Sequence, residues 1–195
     1  MRFNWRLVLA AIFLLVSIPL LIWGFWPPRR ETATVPLVTP AGAPSLPGRT
    51  ARLTYSPSMR AGDSQVARLD VSADGDLPPG YDVVAEARLD FPLAEARPAE
   101  LVSAALTEGH GATFYWEAKP RETRTSSGTL WLYLRFVPKA GGEETRQPVW
   151  AERVEIRSTS LLGRTGSEAR AAGAAGTLAG LVILLWARSA KQNRA

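Results

Sequence analysis

Two long apolar runs bracket a region of short alternation. Leu7 to Trp26 (LVLAAIFLLVSIPLLIWGFW) carries no charge over twenty residues. As a helix it rises about 1.5 Å per residue and covers roughly 30 Å, the thickness of a bilayer's hydrocarbon core. Ala171 to Ala187 (AAGAAGTLAGLVILLWA) is seventeen residues long, at the short end for a span, and opens with small residues only. Trp5, Trp23 and Trp26 flank the first run and Trp186 the second, where interfacial aromatics belong. Pro19 removes one backbone hydrogen bond, a kink that membrane helices tolerate.

Between the runs the period is two, which predicts a mainly β domain. Arg52 to Tyr55 reads as a first strand, Gln65 to Val71 as a second and Tyr81 to Phe91 as a third. In the third, Val83, Ala85, Ala87, Leu89 and Phe91 oppose Asp82, Glu86, Arg88 and Asp90. Pro98 to Leu106 reads as helix or strand, and its β surroundings favour a strand over Leu101 to Leu106. Ala112 to Ala118, Gly128 to Val137 and Gln147 to Ser158 complete the set, with polar hairpin loops at Lys119 to Ser127 and Lys139 to Gln147. About seven strands at this spacing imply a two-sheet antiparallel β-sandwich. Before it, Pro27 to Gly48 holds six prolines in twenty-two residues, which predicts an extended, semi-rigid linker.

The segment Pro57-Ser58-Met59-Arg60-Ala61-Gly62-Asp63-Ser64, followed by an alternating strand, resembles the opening of bacterial immunoglobulin-like domains. The likeness covers about twenty residues and lacks the Cys…Trp…Cys core of antibody domains. It implies an immunoglobulin-like sandwich and assigns no activity.

Charge refines the organisation. The net charge is +5, but all eighteen acidic residues lie between Glu31 and Glu168. From Glu31 to Arg170 sixteen basic residues meet those eighteen, so the middle is close to neutral. The other basic residues (Arg2, Arg6, Arg29, Arg30, Arg188, Lys191 and Arg194) all flank the apolar runs. The basicity therefore belongs to membrane flanks, and no nucleic-acid partner is expected. Two spans place both termini on one side, and the terminal arginines assign that side to the cytoplasm. The first run is longer than a signal-peptide core and ends in Trp-Gly-Phe-Trp-Pro-Pro, a poor cleavage context, so it reads as an uncleaved anchor. Arginine outnumbers lysine twenty to three in an Ala- and Gly-rich chain, which points to a high-GC bacterium. The expected order is a cytoplasmic N-terminus (1–6), first span (7–26), linker (27–48), sandwich (49–160), juxtamembrane segment (161–170), second span (171–187) and cytoplasmic tail (188–195). The sandwich would face outward from the bacterial inner membrane.

Catalytic chemistry finds no foothold. The chain has no cysteine, which removes disulfides and thiolate nucleophiles or ligands. Its single histidine, His110, lies between two glycines, and no G-x-S-x-G elbow accompanies it. Asp70, Asp74, Asp76 and Asp82 do not follow the EF-hand pattern, and Glu143-Glu144 reads as a solvated charge pair. No catalytic, metal or cofactor residues are expected, so the chain does not read as an enzyme. Two sets of residues suit interaction instead. Ala172, Gly176 and Gly180 fall at i, i+4 and i+8, a stripe that lets a second helix approach closely in lipid. The partner would be the first span, a second copy of the chain or another membrane protein. Tyr115, Trp131, Tyr133 and Arg135 are assigned to the outer face of neighbouring strands, where aromatic and arginine side chains make a protein-binding patch. The chain thus reads as a non-catalytic accessory or scaffolding subunit of a membrane assembly. The alternative is a transmembrane sensor whose output lies in a partner, since a tail of about eight residues holds no output domain.

Overall fold

The computed structural model describes residues 5–120 and 123–192. Arg2 and Arg194, and the side chain of Lys191, lie outside them. The chain forms two compact units, Pro28–Thr159 and a second made from its two ends.

The central unit is a two-sheet β-sandwich of ten strands. These are β1 (Glu31–Pro36), β2 (Thr50–Tyr55), β3 (Ser58–Arg60), β4 (Gln65–Val71), β5 (Tyr81–Asp90), β6 (Ala94–Arg97), β7 (Val102–Leu106), β8 (Ala112–Pro120), β9 (Thr125–Pro138) and β10 (Thr145–Thr159). One sheet has the order β1-β2-β4-β8-β6 and the other β3-β10-β9-β5-β7. All pairings are antiparallel except β3 with β10, which run parallel with Arg157 beside Ser58. The expected alternation fills the interior. Ala67, Leu69 and Val71 meet Phe114 and Trp116 from the first sheet, while Val83, Ala85, Ala87, Leu89, Leu130, Leu132, Leu134 and Phe136 line the second. Bulk is offset by small side chains: Phe114 and Trp116 lie on β8, and alanines occupy the inner positions of β5.

Ten strands replace the expected seven, and each of the three additions is a sheet edge. β3 and β6, of three and four residues, are too short to show a period, and β1, of six, has only Ala33 and Val35 half-buried. β1 also corrects the linker. Glu31–Pro36 pairs with β2 from Glu31 opposite Tyr55 to Pro36 opposite Thr50. Thr32, Thr34 and Val35 are β-branched, and prolines at the ends of an edge strand remove no ladder bond that matters. Leu37 and Leu46, in the same stretch, are buried in the core. The stretch is therefore part of the sandwich rather than a stalk. Residues 98–106 resolve as a strand, Val102–Leu106, paired with β5. A further correction concerns Lys119 to Ser127. β8 and β9 belong to different sheets, so this segment crosses between them and is not a hairpin.

The second unit is a pair of antiparallel helices, α1 (Trp5–Phe25) and α2 (Gly166–Gln192). Each is long and apolar enough to cross a membrane. α2 starts five residues before the expected span because Thr165 and Glu168 form a capping box. The Glu168 amide donates to Thr165 Oγ1 at 3.3 Å, and the Thr165 amide donates to Glu168 Oε2 at 2.8 Å. The juxtamembrane segment 161–170 is thus partly helical. Around the pair, Leu7, Ile12, Leu15, Val16, Ile18, Ile22, Leu178, Val182 and Leu185 remain exposed.

Candidate interaction surface

The outer face of the β3-β10-β9-β5-β7 sheet carries one continuous polar and aromatic arrangement. Alternation along β9 sends Leu130, Leu132, Leu134 and Phe136 inward and Trp131, Tyr133 and Arg135 outward. Trp131 and Tyr133 stack with ring centroids 6.4 Å apart and planes 21° from parallel. The guanidinium of Arg146, on β10, sits 4.1 Å from the Tyr133 ring centroid.

Glu86 organises the charges. It lies on β5 opposite Tyr133, on the outer face, yet it is only 6% exposed. One of its oxygens is 2.9 Å from Arg135 Nε and the other 2.9 Å from Arg146 Nε. Arg135 also donates through Nη1 to Glu144 Oε2 at 2.7 Å. That hydrogen bond and the Glu144 charge, with Glu86 behind them, push the Arg135 guanidinium above its ordinary range. In the sequence Glu86 falls on the polar face of its strand, with Asp82, Arg88 and Asp90. The available signal was its position in the middle of β5, where long flanking side chains from β9 and β10 reach over it. Each oxygen of the Glu86 carboxylate is thus engaged by an arginine. Chemically the arrangement is suited to recognition: flat aromatic surface beside charges already held in place.

Tyr115 does not join this face. It lies on β8, in the other sheet, and points outward from the opposite side of the sandwich. There it is 55% exposed, with the Arg68 guanidinium 5.7 Å from its ring. Arg68 is held by Asp70 through bonds of 2.9 and 2.7 Å, and Asp70 also accepts from Thr113 at 2.8 Å. The expectation of one four-residue patch is therefore corrected: β8 and β9 follow each other in sequence but are back to back in space.

In the helix pair the seam follows Ala169, Gly173, Gly176, Gly180 and Ala187. Ala169, Gly173, Gly180 and Ala187 are buried and Gly176 half-buried. A Cβ on Gly173 would lie 2.9 Å from the backbone nitrogen of Leu21. One on Gly176 would lie 2.8 Å from Ser17 Cβ, and one on Gly180 2.9 Å from Leu14 Cγ. Ala172 has the same intermediate burial as Gly176, and Gly173 beside it also meets the first helix, at Leu21. Steps of four and three residues keep a 3.5-residue repeat on one face, whereas steps of four alone drift around the helix. Polar ties accompany the seam. Ser17 Oγ donates to Phe13 O and lies 3.2 Å from Thr177 Oγ1, and Arg170 Nη1 donates to Gly24 O at 3.1 Å. The Arg6 guanidinium lies 3.9 Å from the Trp186 ring centroid.

Sequence reasoning also passed over Arg49, which is 1% exposed. Its Nη1 donates to Ser72 O at 2.8 Å and its Nη2 to Thr107 O at 3.2 Å, tying two loops together. Burial holds its pKa below the ordinary arginine value, with Asp74 opposing that shift. His110 is exposed, its Nδ1 3.0 Å from Glu108 O. Among the described residues, no three acidic or histidine side chains are grouped to hold a metal ion.

No protein-family model matches the chain, and no curated protein matches it. Solved structures give distant likenesses. A chain of the complex between Zinc 2-glycoprotein and Prolactin inducible protein from human seminal plasma is 14% identical with a TM-score of 0.37, over 67% of this chain and 93% of that one. The cohesin module from a Clostridium perfringens family 33 glycoside hydrolase is 12% identical with a TM-score of 0.36, over 56% and 96%. The ASH/PapD-like domain of human CEP192 is 13% identical with a TM-score of 0.36, over 65% and 96%. Likenesses this distant say nothing of activity, ligand or partner.

Proposed function

We propose that this chain is a two-span protein of a bacterial inner membrane, with both termini cytoplasmic and an immunoglobulin-like sandwich outside. The sandwich serves protein contact without catalysis, as an accessory or scaffolding module of a membrane assembly. The observation that carries this reading is the helix pair. Its seam is lined by Gly173, Gly176 and Gly180, while large aliphatic side chains point away from it. In water such a pair would expose its apolar side chains and bury glycine; in lipid the same arrangement is favourable, because close backbone approach replaces the missing hydrophobic drive. The platform of Trp131, Tyr133, Arg135 and Arg146 supports the contact role, since aromatic and arginine side chains dominate interface energetics.

The absence of cysteine makes the test clean, because each introduced thiol is unique. Glu143→Cys in the β9–β10 loop and Lys191→Cys after the second apolar run are compared in intact cells with a membrane-impermeant maleimide. Glu143→Cys is labelled and Lys191→Cys is labelled only after permeabilisation. The reverse pattern, or recovery of the chain in the soluble fraction, overturns the reading. A photo-crosslinking residue at Trp131 captures a discrete partner, and one at Tyr115 does not, if the contact face is the one described.

A further inference from the structure

One end of the sandwich holds a cleft of about 630 Å³ lined by Arg29, Arg30, Arg153, Arg157, Tyr55 and Glu31, among others. Both sheets build it. β1 begins and β2 ends there in one sheet, while β9 begins and β10 ends there in the other. Two carboxylates line the cleft: Glu155 pairs with Arg153 at 3.0 Å, and Glu31 accepts from the neutral Tyr55 hydroxyl at 3.4 Å and keeps its charge. Arg29, Arg30 and Arg157 form no ion pair with another described residue. Four arginines against two glutamates leave the cleft positive by two.

We propose that this cleft binds the phosphate of an anionic phospholipid headgroup. Guanidinium groups present planar forks that match phosphate oxygens two at a time. Three that converge on one cleft without carboxylate partners supply the charge that a phosphodiester needs. The lipid, rather than a free phosphate, follows from chain length. Arg29 is four residues past Phe25, the end of α1. Four residues of chain reach no farther than roughly 14 Å, so the chain itself limits how far Arg29 can lie from the end of that helix. On the proposed side of the bilayer, arginine beside a span also runs against the usual distribution, and a bound anion offsets it. The choice of lipid rests on the membrane reading above.

The test uses full-length protein in an uncharged detergent, titrated calorimetrically with dihexanoyl phosphatidylglycerol, dihexanoyl phosphatidylcholine and inorganic phosphate. These short-chain lipids dissolve in water, so binding is scored whether or not the helices cross a bilayer, and topology is scored separately by the thiol labelling. Phosphatidylglycerol binds, and it protects Arg29, Arg30 and Arg157 from phenylglyoxal. Each arginine near an anionic lipid is worth about a fivefold change in affinity, so the triple substitution Arg29→Gln, Arg30→Gln, Arg157→Gln weakens binding roughly 100-fold. The charge-matched set Arg52→Gln, Arg88→Gln, Arg97→Gln leaves it unchanged, which separates the site from net charge. Arg157→Lys keeps the charge and loses the fork, and it weakens binding severalfold in a chain with an otherwise unaltered surface. Equal binding of phosphatidylcholine, equal loss in the charge-matched set, or inorganic phosphate binding as tightly as the lipid would each overturn the assignment.

Discussion

The sandwich interior and the seam between α1 and α2 are both apolar, and they are filled by opposite kinds of residue. The interior is made of Leu130, Leu132, Leu134, Phe136, Phe114 and Trp116, with alanine used to make room. The seam is made of Gly173, Gly176 and Gly180 against Ser17, Leu14 and Leu21. In the interior, each large side chain removed from water contributes about 1.5–3 kcal/mol, so bulk is the source of stability. In the seam, bulk is the obstacle. In lipid, as proposed, a side chain there would gain nothing from burial, and the contact would depend on backbones coming close. One chain thus uses large residues where the competing solvent is water and absent ones where the proposed solvent is lipid.

That contrast can be broken from either side. The largest effect is expected from Trp116→Ala, which empties the centre of the interior and costs about 3–5 kcal/mol. Denaturant titration of the full chain in detergent reads it as loss of the sandwich transition, with helical content kept; loss of both signals together would mean that the two units fold as one. In the seam the sign of the size change reverses. Gly173→Leu places a side chain against the Leu21 backbone nitrogen, which cannot yield as a side-chain tip does. Overpacking of this kind costs about 1–3 kcal/mol. Disulfide formation in a Ser17→Cys, Thr177→Cys background falls in that variant, while Ala172→Leu leaves it intact. An equal fall in both would place Ala172 in the seam with Gly173. Glu86→Gln is intermediate: it keeps the shape and removes the charge between Arg135 and Arg146. Because both arginines are partly exposed, about 1 kcal/mol is expected, seen as a lowered Tm of the sandwich and a change in Trp131 fluorescence.

The smallest effect concerns pH. Burial, followed by the Glu31 charge and hydrogen bond, raises the Tyr55 pKa above its ordinary value. A group raised on folding contributes stability that is complete below its unfolded pKa, about 10 for tyrosine, and is lost as pH rises through the folded one. The stability of the sandwich therefore falls above about pH 10, and Tyr55→Phe flattens that fall. An unchanged slope in the variant would assign the decline to other groups.

The legibility of these features in the sequence follows from their period and length. Six of the seven expected strands were readable because a half-buried strand repeats every two residues; the seventh, β7, was favoured only by its β surroundings. β1, β3 and β6 were not, because β3 and β6 are too short to repeat and β1 has only two half-buried positions. The prolines around β1 added a second, misleading signal. Trp131, Tyr133 and Arg135 were readable as one face, since their relation is local to β9. Tyr115 was misplaced because alternation reports which side of a sheet a residue is on, not which sheet. Glu86 and Arg49 were invisible for a related reason: both are buried charged groups whose partners come from two other elements. In the helices, Gly176 and Gly180 fitted a spacing of four, but the seam's alternation of four and three depends on the facing helix.

Tyr55, Glu31 and Thr159 also mark where the sandwich is tethered, since β1 begins and β10 ends at the same end of the sheets. A pull on either tether, directed away from that end, acts along the axis of the strand it meets. The ladder bonds lie across that axis, so they are strained together rather than peeled one by one. β1 would have to slide past six partners on β2, and β10 past its whole register with β9 from Thr145 to Arg157. A domain gripped at its far end and pulled through these tethers would therefore be loaded in shear, across all the ladder bonds of β1 and β10 at once.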